Sequence, residues 1–182
     1  MRIIGGKYRG KSIVPPANFS ARPTTDFAKE ALFNIINNYF NFENIDVLDL
    51  FSGTGSIAYE FGSREVKSLV AVDSNYQNTA YIEKQFEALG FDNARVYKSD
   101  VFRFLNHCKQ KFDLVFADPP YLLENIEEIY LSVFKNELLT ETSLLIIEHS
   151  EKNDLSSLPF FVMEKKYGSV HFSFFDPEVD NA

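Results

Sequence analysis

From residue 45 onward the chain alternates short apolar runs with amphipathic stretches, and this alternation constrains the fold more than any other feature. "IDVLDLF", "SLVAVD", "ARVYKSD", "FDLVFAD" and "SLLIIEH" read as strands, and the segments near 55–63, 76–90, 101–110 and 125–136 read as the helices between them. Strands that are apolar on both faces and alternate with helices belong to a parallel sheet covered on both sides. The last two runs, "FFVMEKKYG" and "SVHFSFF", are separated only by Gly168 and Ser169, which predicts an antiparallel hairpin. The expected architecture is therefore α/β: a doubly wound, mostly parallel seven-stranded sheet closed by a C-terminal antiparallel hairpin. Upstream, "RIIGG" and "KSIVPP" around Gly5, Gly6 and Gly10 suggest a small β-ribbon. "TTDFAKEALFNIINNYF" spaces Phe27, Ala31, Leu32, Ile35, Ile36 and Tyr39 as a helix, with Thr25 three residues ahead of Ala28 and Asp26 also able to cap. A chain of 182 residues, 45% apolar, has room for one such domain and a small appendage. The expected division is a ribbon arm at 1–24 and the sheet domain at 25–182.

Four of the strands end in or beside an acid: Asp49, Asp73, Asp100 and Asp118. In a doubly wound sheet ligands bind outside the carboxyl ends of the strands, so these four carboxylates should line one crevice. Any one of them could instead cap the helix that follows. After the first strand, "DLFSGTGSIA" places Gly53 and Gly55 in a tight turn at the start of a helix, whose free N–H groups face a ligand. Gly53, Gly55 and Ala58 also satisfy the dinucleotide pattern, and Asp73 follows Gly53 by the interval expected of a ribose-binding acid. A nicotinamide cofactor is therefore open on the glycines alone. Asp49 discriminates: it would repel a pyrophosphate but balance an ammonium or sulfonium, which favours S-adenosylmethionine. Asp100 and the backbone of Val101 suit an adenine edge.

The fourth acid sits in "FADPPYLL", an unusual end for a buried strand. A turn needs at most one proline and a small polar residue. An exocyclic base amine is planar, with its lone pair delocalised into the ring, and it needs hydrogen-bond acceptors more than a strong base. Asp118 and the carbonyl of Pro119 could each accept one N–H and push the nitrogen towards tetrahedral geometry. Two prolines would keep those acceptors in place as charge develops. Tyr121 offers a face for the base to stack on.

The net charge of −8 hides an asymmetry. Residues 1–25 hold Arg2, Lys7, Arg9, Lys11 and Arg22 and no acid, a local +5 that leaves −13 for the remainder. A polyanion would be gripped at this end and kept off elsewhere. A single cysteine, Cys108, excludes a disulfide framework, and His107, His149 and His171 show no metal-ligand spacing, so no metal is expected. No apolar run approaches the roughly 20 residues that span a bilayer, and the N-terminus lacks a hydrophobic signal segment. A cytoplasmic protein acting as a monomer away from membranes is the expectation.

"DLFSGTG" together with "DPPY" resembles the Rossmann-fold S-adenosylmethionine-dependent amino-methyltransferases, and "MRIIGGKYRGKSI" followed by "RPTTDFAKEALFN" resembles the RsmD family within them. The likeness runs from residue 1 to the hairpin near residue 175. It implies methyl transfer from S-adenosylmethionine to N2 of a guanine in 16S rRNA. It further implies Asp49, Gly53, Gly55, Asp73, Asp100 and Val101 as cofactor contacts, and Asp118, Pro119 and Tyr121 as the groups that meet the base. Lys7, Arg9, Lys11, Arg22 and Thr24 would contact RNA, with Arg22, Pro23, Thr24 and Thr25 beside the cofactor mouth. The 16S rRNA substrate would be a small-subunit assembly intermediate. Phe27 and Ala28 stand where the family usually has arginine and valine, which removes a phosphate contact. "DPPY" by itself fits an adenine N6 amine as well, and two other classes are carried forward: a nicotinamide-dependent oxidoreductase and a non-catalytic ribosome-assembly factor.

Overall fold

The computed structural model describes residues 1–16, 19 and 25–179. Arg22, Pro23 and Thr24 lie outside the described residues. The expected sheet is present. Strands β1 (Asp46–Leu50), β2 (Ser68–Asp73), β3 (Ala94–Lys98), β4 (Phe112–Ala117), β5 (Leu139–His149), β6 (Phe161–Tyr167) and β7 (Val170–Phe175) form one sheet in the order β3-β2-β1-β4-β5-β7-β6. The first five pair in parallel, and β7 runs antiparallel to both β5 and β6. The chain order reverses between β1 and β4, so their carboxyl ends open the crevice that this topology uses for ligands. Gly168 turns the terminal hairpin with a φ of 65°.

The helices α1 (Asp26–Tyr39), α2 (Ser56–Ser63), α3 (Tyr76–Leu89), α4 (Val101–His107) and α5 (Glu127–Lys135) cover the two faces. One apolar cluster joins Leu32, Phe33 and Ile36 of α1 with Tyr59, Phe61, Phe86, Phe116, Phe172 and Phe174. The other joins Leu105, Ile129, Tyr130 and Val133 with Val115, Leu145, Ile147 and Phe175. Several boundaries differ from expectation. Helix α4 stops at His107 rather than residue 110, and β5 starts four residues early because Thr140 is held by Asp113 (2.8 Å) across a bulge against β4. The cap of α1 is Thr25, whose Oγ1 accepts from the Ala28 amide at 3.2 Å; Asp26 instead pairs with Arg2 at 3.1 Å. No helix among the described residues is long and apolar enough to cross a membrane.

The N-terminal ribbon reduces to a single antiparallel bridge, Arg2 to Ser12, yet it is firmly docked. Ile3 and Ile13 are buried in the same cluster as α1 and α2. Gly6, at φ 74°, lies so close to the Ser63 carbonyl that a Cβ would sit 2.0 Å from its oxygen. The Tyr8 hydroxyl donates to the Leu89 carbonyl at 2.6 Å. At the centre of the docking surface Glu60, fully buried, accepts from Lys29 Nζ (3.0 Å), Arg64 Nη1 (2.6 Å) and the Ile4 amide (2.8 Å). Lys29, also buried, donates to the Arg2 carbonyl at 2.6 Å. The Arg64 guanidinium stacks 4.1 Å over the Phe33 ring.

A buried charge left without its partner is far more costly than the intact pair is favourable. Glu60→Gln should therefore destabilise the protein by about 3–5 kcal/mol in urea unfolding. A change within about 0.5 kcal/mol, the usual range for a surface substitution, would show that the arm does not depend on this network.

Candidate functional site

Strand β1 ends at Leu50 and the chain turns at once. Phe51 adopts a left-handed φ of 58°, followed by Gly53 at 54° and Gly55 at 86°. A non-glycine residue in that region stores strain that the surrounding structure must hold. Ser52 holds it: its amide donates to the Val72 carbonyl (3.1 Å) and its hydroxyl accepts from the Val72 amide (3.1 Å). The turn amides are used internally. Gly53 N–H donates to Asp73 Oδ2 at 2.8 Å and Gly55 N–H to the Ser52 carbonyl at 2.7 Å. Gly55 also makes room for Tyr59, whose ring atoms would lie 2.6 Å from a Cβ at that position.

Asp73 is therefore a fastener as much as a ligand group. Its other oxygen accepts from the Asn75 amide (2.8 Å) and Asn78 Nδ2 (3.1 Å). A carboxylate has about four acceptor positions, so one remains for a hydroxyl. Asp100 follows β3 by two residues and caps α4, Oδ1 accepting from the Arg103 amide at 2.9 Å. It stays exposed in an open groove of about 860 Å³ that Ser74, Tyr97, Arg103 and Phe104 also line. Val101 buries its side chain in the second apolar cluster.

Asp49 is different in kind. It is 1% exposed, and its Oδ2 has no hydrogen-bond partner among the described residues. Burial, reinforced by the neighbouring charges of Asp118 and Asp73, pushes its carboxyl up to about 8. Asp118, partly exposed just past the end of β4, is also desolvated, which pushes its carboxyl up to about 7. Two further buried oxygens near the turn, Ser56 Oγ and Tyr59 OH, are also unpartnered among the described residues. Sequence reasoning missed both; no spacing rule marks them, because they face the site only once α2 is packed. Buried polar atoms are almost always paired, so a cluster of orphans marks where a ligand is expected. Acids that resist ionisation side by side call for a cation, and the internally consumed glycine amides offer little to a pyrophosphate. The donor set fits the ammonium and sulfonium side of S-adenosylmethionine.

Asp118 is anchored by its amide, which donates to the Leu50 carbonyl at 3.3 Å. The loop beyond it closes with Leu123 N–H donating to the Pro120 carbonyl at 2.8 Å. Pro119 is buried while Tyr121 is half exposed. The structure thus brings Asp49, Gly53, Gly55, Asp73, Asp100, Val101 and the Asp118–Tyr121 loop to one edge of the sheet. It does not bring Lys7, Arg9 and Lys11 there. Their turn packs on Ser63, at the far end of α2 from the glycine turn, about 12 Å of helix away. Lys7 pairs with Glu65 at 3.4 Å, and Lys7 and Lys11 flank the Tyr8 ring.

The family model described as conserved hypothetical protein 95 matches residues 1–176. A Bacillus subtilis protein, YlbH, named provisionally as an rRNA methyltransferase, is 31% identical over 159 residues, 85% of either chain. The Escherichia coli ribosomal RNA small subunit methyltransferase D is 29% identical over 181 residues, 98% of this chain and 90% of that one. The solved structure of Escherichia coli yhhF, named provisionally as a methyltransferase, superposes with a TM-score of 0.86 over 99% of both chains at 28% identity.

The two raised acids make stability pH-dependent in a defined direction. Between the ordinary carboxyl value and their folded values the native state holds more protons than the unfolded chain, so stability falls as pH rises from about 4 to about 8. Asp49→Asn removes one of these charges. At about pH 8 it should raise the melting midpoint of the ligand-free protein, by about 2–4 °C for each kcal/mol gained. The gain should shrink towards about pH 5. An equal shift at both values would mean that Asp49 is not the titrating group.

Proposed function

This chain belongs to the RsmD family, whose model carries the description conserved hypothetical protein 95, and on that premise we propose that it methylates the exocyclic N2 amine of a guanosine in small-subunit ribosomal RNA. The observation that carries the reading is the pair of desolvated acids at the switch point: Asp49, buried with an orphaned oxygen, and Asp118, partly exposed beside it at the foot of a proline turn. S-adenosylmethionine, when bound, supplies an electrophilic methyl group, so the chain has only to hold and orient a weak nucleophile. Asp49, Asp73 and Asp100 with Val101 would hold its amino-acid end, ribose and adenine respectively.

The remaining work falls to "DPPY". Asp118, ionised, accepts one amine N–H, and the Pro119 carbonyl accepts the other. Together they draw the nitrogen out of conjugation and leave its lone pair directed at the methyl. Because the acceptors are fixed before the base arrives, they do not reorganise as positive charge develops. Tyr121, half exposed, stacks against the base. The nucleotide must be single-stranded or flipped for its amine to reach this depth. A nicotinamide reading finds no support in the turn, since its glycine amides are already spent on Asp73 and Ser52.

The substrate is an assembly intermediate rather than bare RNA. The basic turn lies at the other end of α2 from the crevice, and the body carries excess negative charge, so few phosphates can be neutralised close to the reacting base. Bare RNA should bind weakly with a shallow salt dependence. Equal or better methylation of protein-free RNA at physiological salt would count against this.

Nucleoside mass spectrometry of small-subunit RNA from cells lacking the gene should show the loss of one N2-methylguanosine. An unchanged pattern would redirect the search to adenine or cytosine amines. In purified protein, Asp118→Asn should retain cofactor binding but lower kcat by at least about 100-fold. Tyr121→Ala should act mainly on the KM for RNA, by about five- to 100-fold if it removes one stacking contact. kcat/KM should rise with pH through about 7 as Asp118 ionises. Full activity in the Asp118 variant would refute the mechanism.

A further inference from the structure

The outer edge of the sheet assembles three ligand-type side chains that are far apart in sequence. His149 ends β5, Glu164 lies in β6 and His171 lies in β7. Strand register puts them together: His149 pairs with His171, and Glu164 pairs with Ser173, so all project from one face. One ligand atom from each falls within 4.8 Å of the others. His171 Nδ1 lies 3.4 Å from Glu164 Oε1, and His149 Nε2 lies 3.9 Å from Glu164 Oε2. Nitrogen and oxygen ligands held tetrahedrally around a zinc-sized ion would be ~3.3 Å apart, so little adjustment is needed.

The protonation pattern is also set. His149 Nδ1 lies 2.9 Å from the Ser150 carbonyl, which only accepts, so Nδ1 carries the hydrogen and Nε2 keeps its lone pair towards the cluster. Metal-binding imidazoles are commonly oriented by such a carbonyl bond on the far nitrogen. Nε2 now takes a hydrogen bond from Ser173 Oγ at 2.8 Å, which an ion would displace. The carboxylate also attracts Lys166 Nζ at 2.9 Å, from a side chain that is mostly in solvent and free to swing away. His149 is fully buried and Glu164 partly exposed, giving a lined site with an entry.

We propose that His149, Glu164 and His171 bind one divalent first-row transition ion of the zinc class, with water in the fourth position. Two imidazoles and a carboxylate favour such ions over magnesium or calcium. The ion fastens the terminal hairpin to β5. Since Ile147 of β5 pairs with Ala117 of β4, the residue before Asp118, the clamp stiffens the strand beside the base-binding loop. Spacing along the chain conceals the site, because each ligand comes from a different strand.

The test uses the full chain stripped of metal and titrated with Co²⁺ and then Zn²⁺. The expected result is about one equivalent of Co²⁺ with the visible absorption of a four-coordinate ion, displaced by Zn²⁺, and a Zn²⁺-dependent rise in melting midpoint. His171→Gln and Glu164→Gln, each checked for folding by circular dichroism, should lose at least about tenfold in affinity. Lys166→Ala should bind at least as tightly as the parent. Absence of the Co²⁺ spectrum, or undiminished affinity in both ligand variants, would overturn the site. So would loss of binding on substituting His107 and Cys108 instead.

Discussion

A buried carboxylate at a strand end, with one oxygen unpartnered among the described residues, is the constraint around which this molecule is arranged. Asp49 sits there because β1 lies inside the sheet, between β2 and β4, and the chain order reverses between it and β4. The reversal opens a gap above two strand ends and places Asp118 next to Asp49, where desolvation above all, and then the charge of Asp118, raises the resistance of Asp49 to ionisation. The strained Phe51, the Ser52 bonds to Val72 and the Asp73 grip on Gly53 all serve to hold the turn that roofs this gap. A cation entering it would favour the ionised acids, so binding a cation and losing protons are coupled.

The N-terminal arm also has a structural part that its charge does not suggest. Its turn of Lys7, Arg9 and Lys11 packs at the base of α2, while the buried Lys29–Glu60–Arg64 network ties its first residues to α1 and α2. The arm thereby fixes α2, whose first turn faces Asp49 and whose Tyr59 fills the space beside Gly55. On the function proposed above, RNA that contacts the basic turn would reach along the flank of the domain to present a base at Asp118. A folded ribonucleoprotein surface can do that more readily than a flexible strand.

Much of this was legible in the sequence. Apolar runs alternating with helical stretches gave away the sheet, and acids at strand ends marked its working edge, because both follow from local periodicity. What escaped depended on contacts between distant segments. Asp100 could be read as a strand terminus or as the cap of the next helix, and the structure makes it the cap of α4. The early start of β5 is set by a bond from Thr140 to Asp113, and its polar residues read as loop. Lys29 and Glu60 look like surface residues on two unrelated helices until the arm seals them. The glycine turn looks ready for phosphate, and only the Asp73 contact shows that its amide is taken. His149, Glu164 and His171 meet only through strand register.

The proposed function requires a cation beside Asp49. Calorimetric titration with S-adenosylmethionine at about pH 7.5, in two buffers of different ionisation enthalpy, tests it directly. Free Asp49 is then largely protonated, and a bound cation should draw its pKa down, so binding should release protons and its enthalpy should depend on the buffer. In Asp49→Asn the release should vanish and affinity should fall by about tenfold for each pKa unit the wild-type acid loses. Tight binding with no proton release in the wild type, or binding of a nicotinamide dinucleotide in place of S-adenosylmethionine, would rule out this role for Asp49.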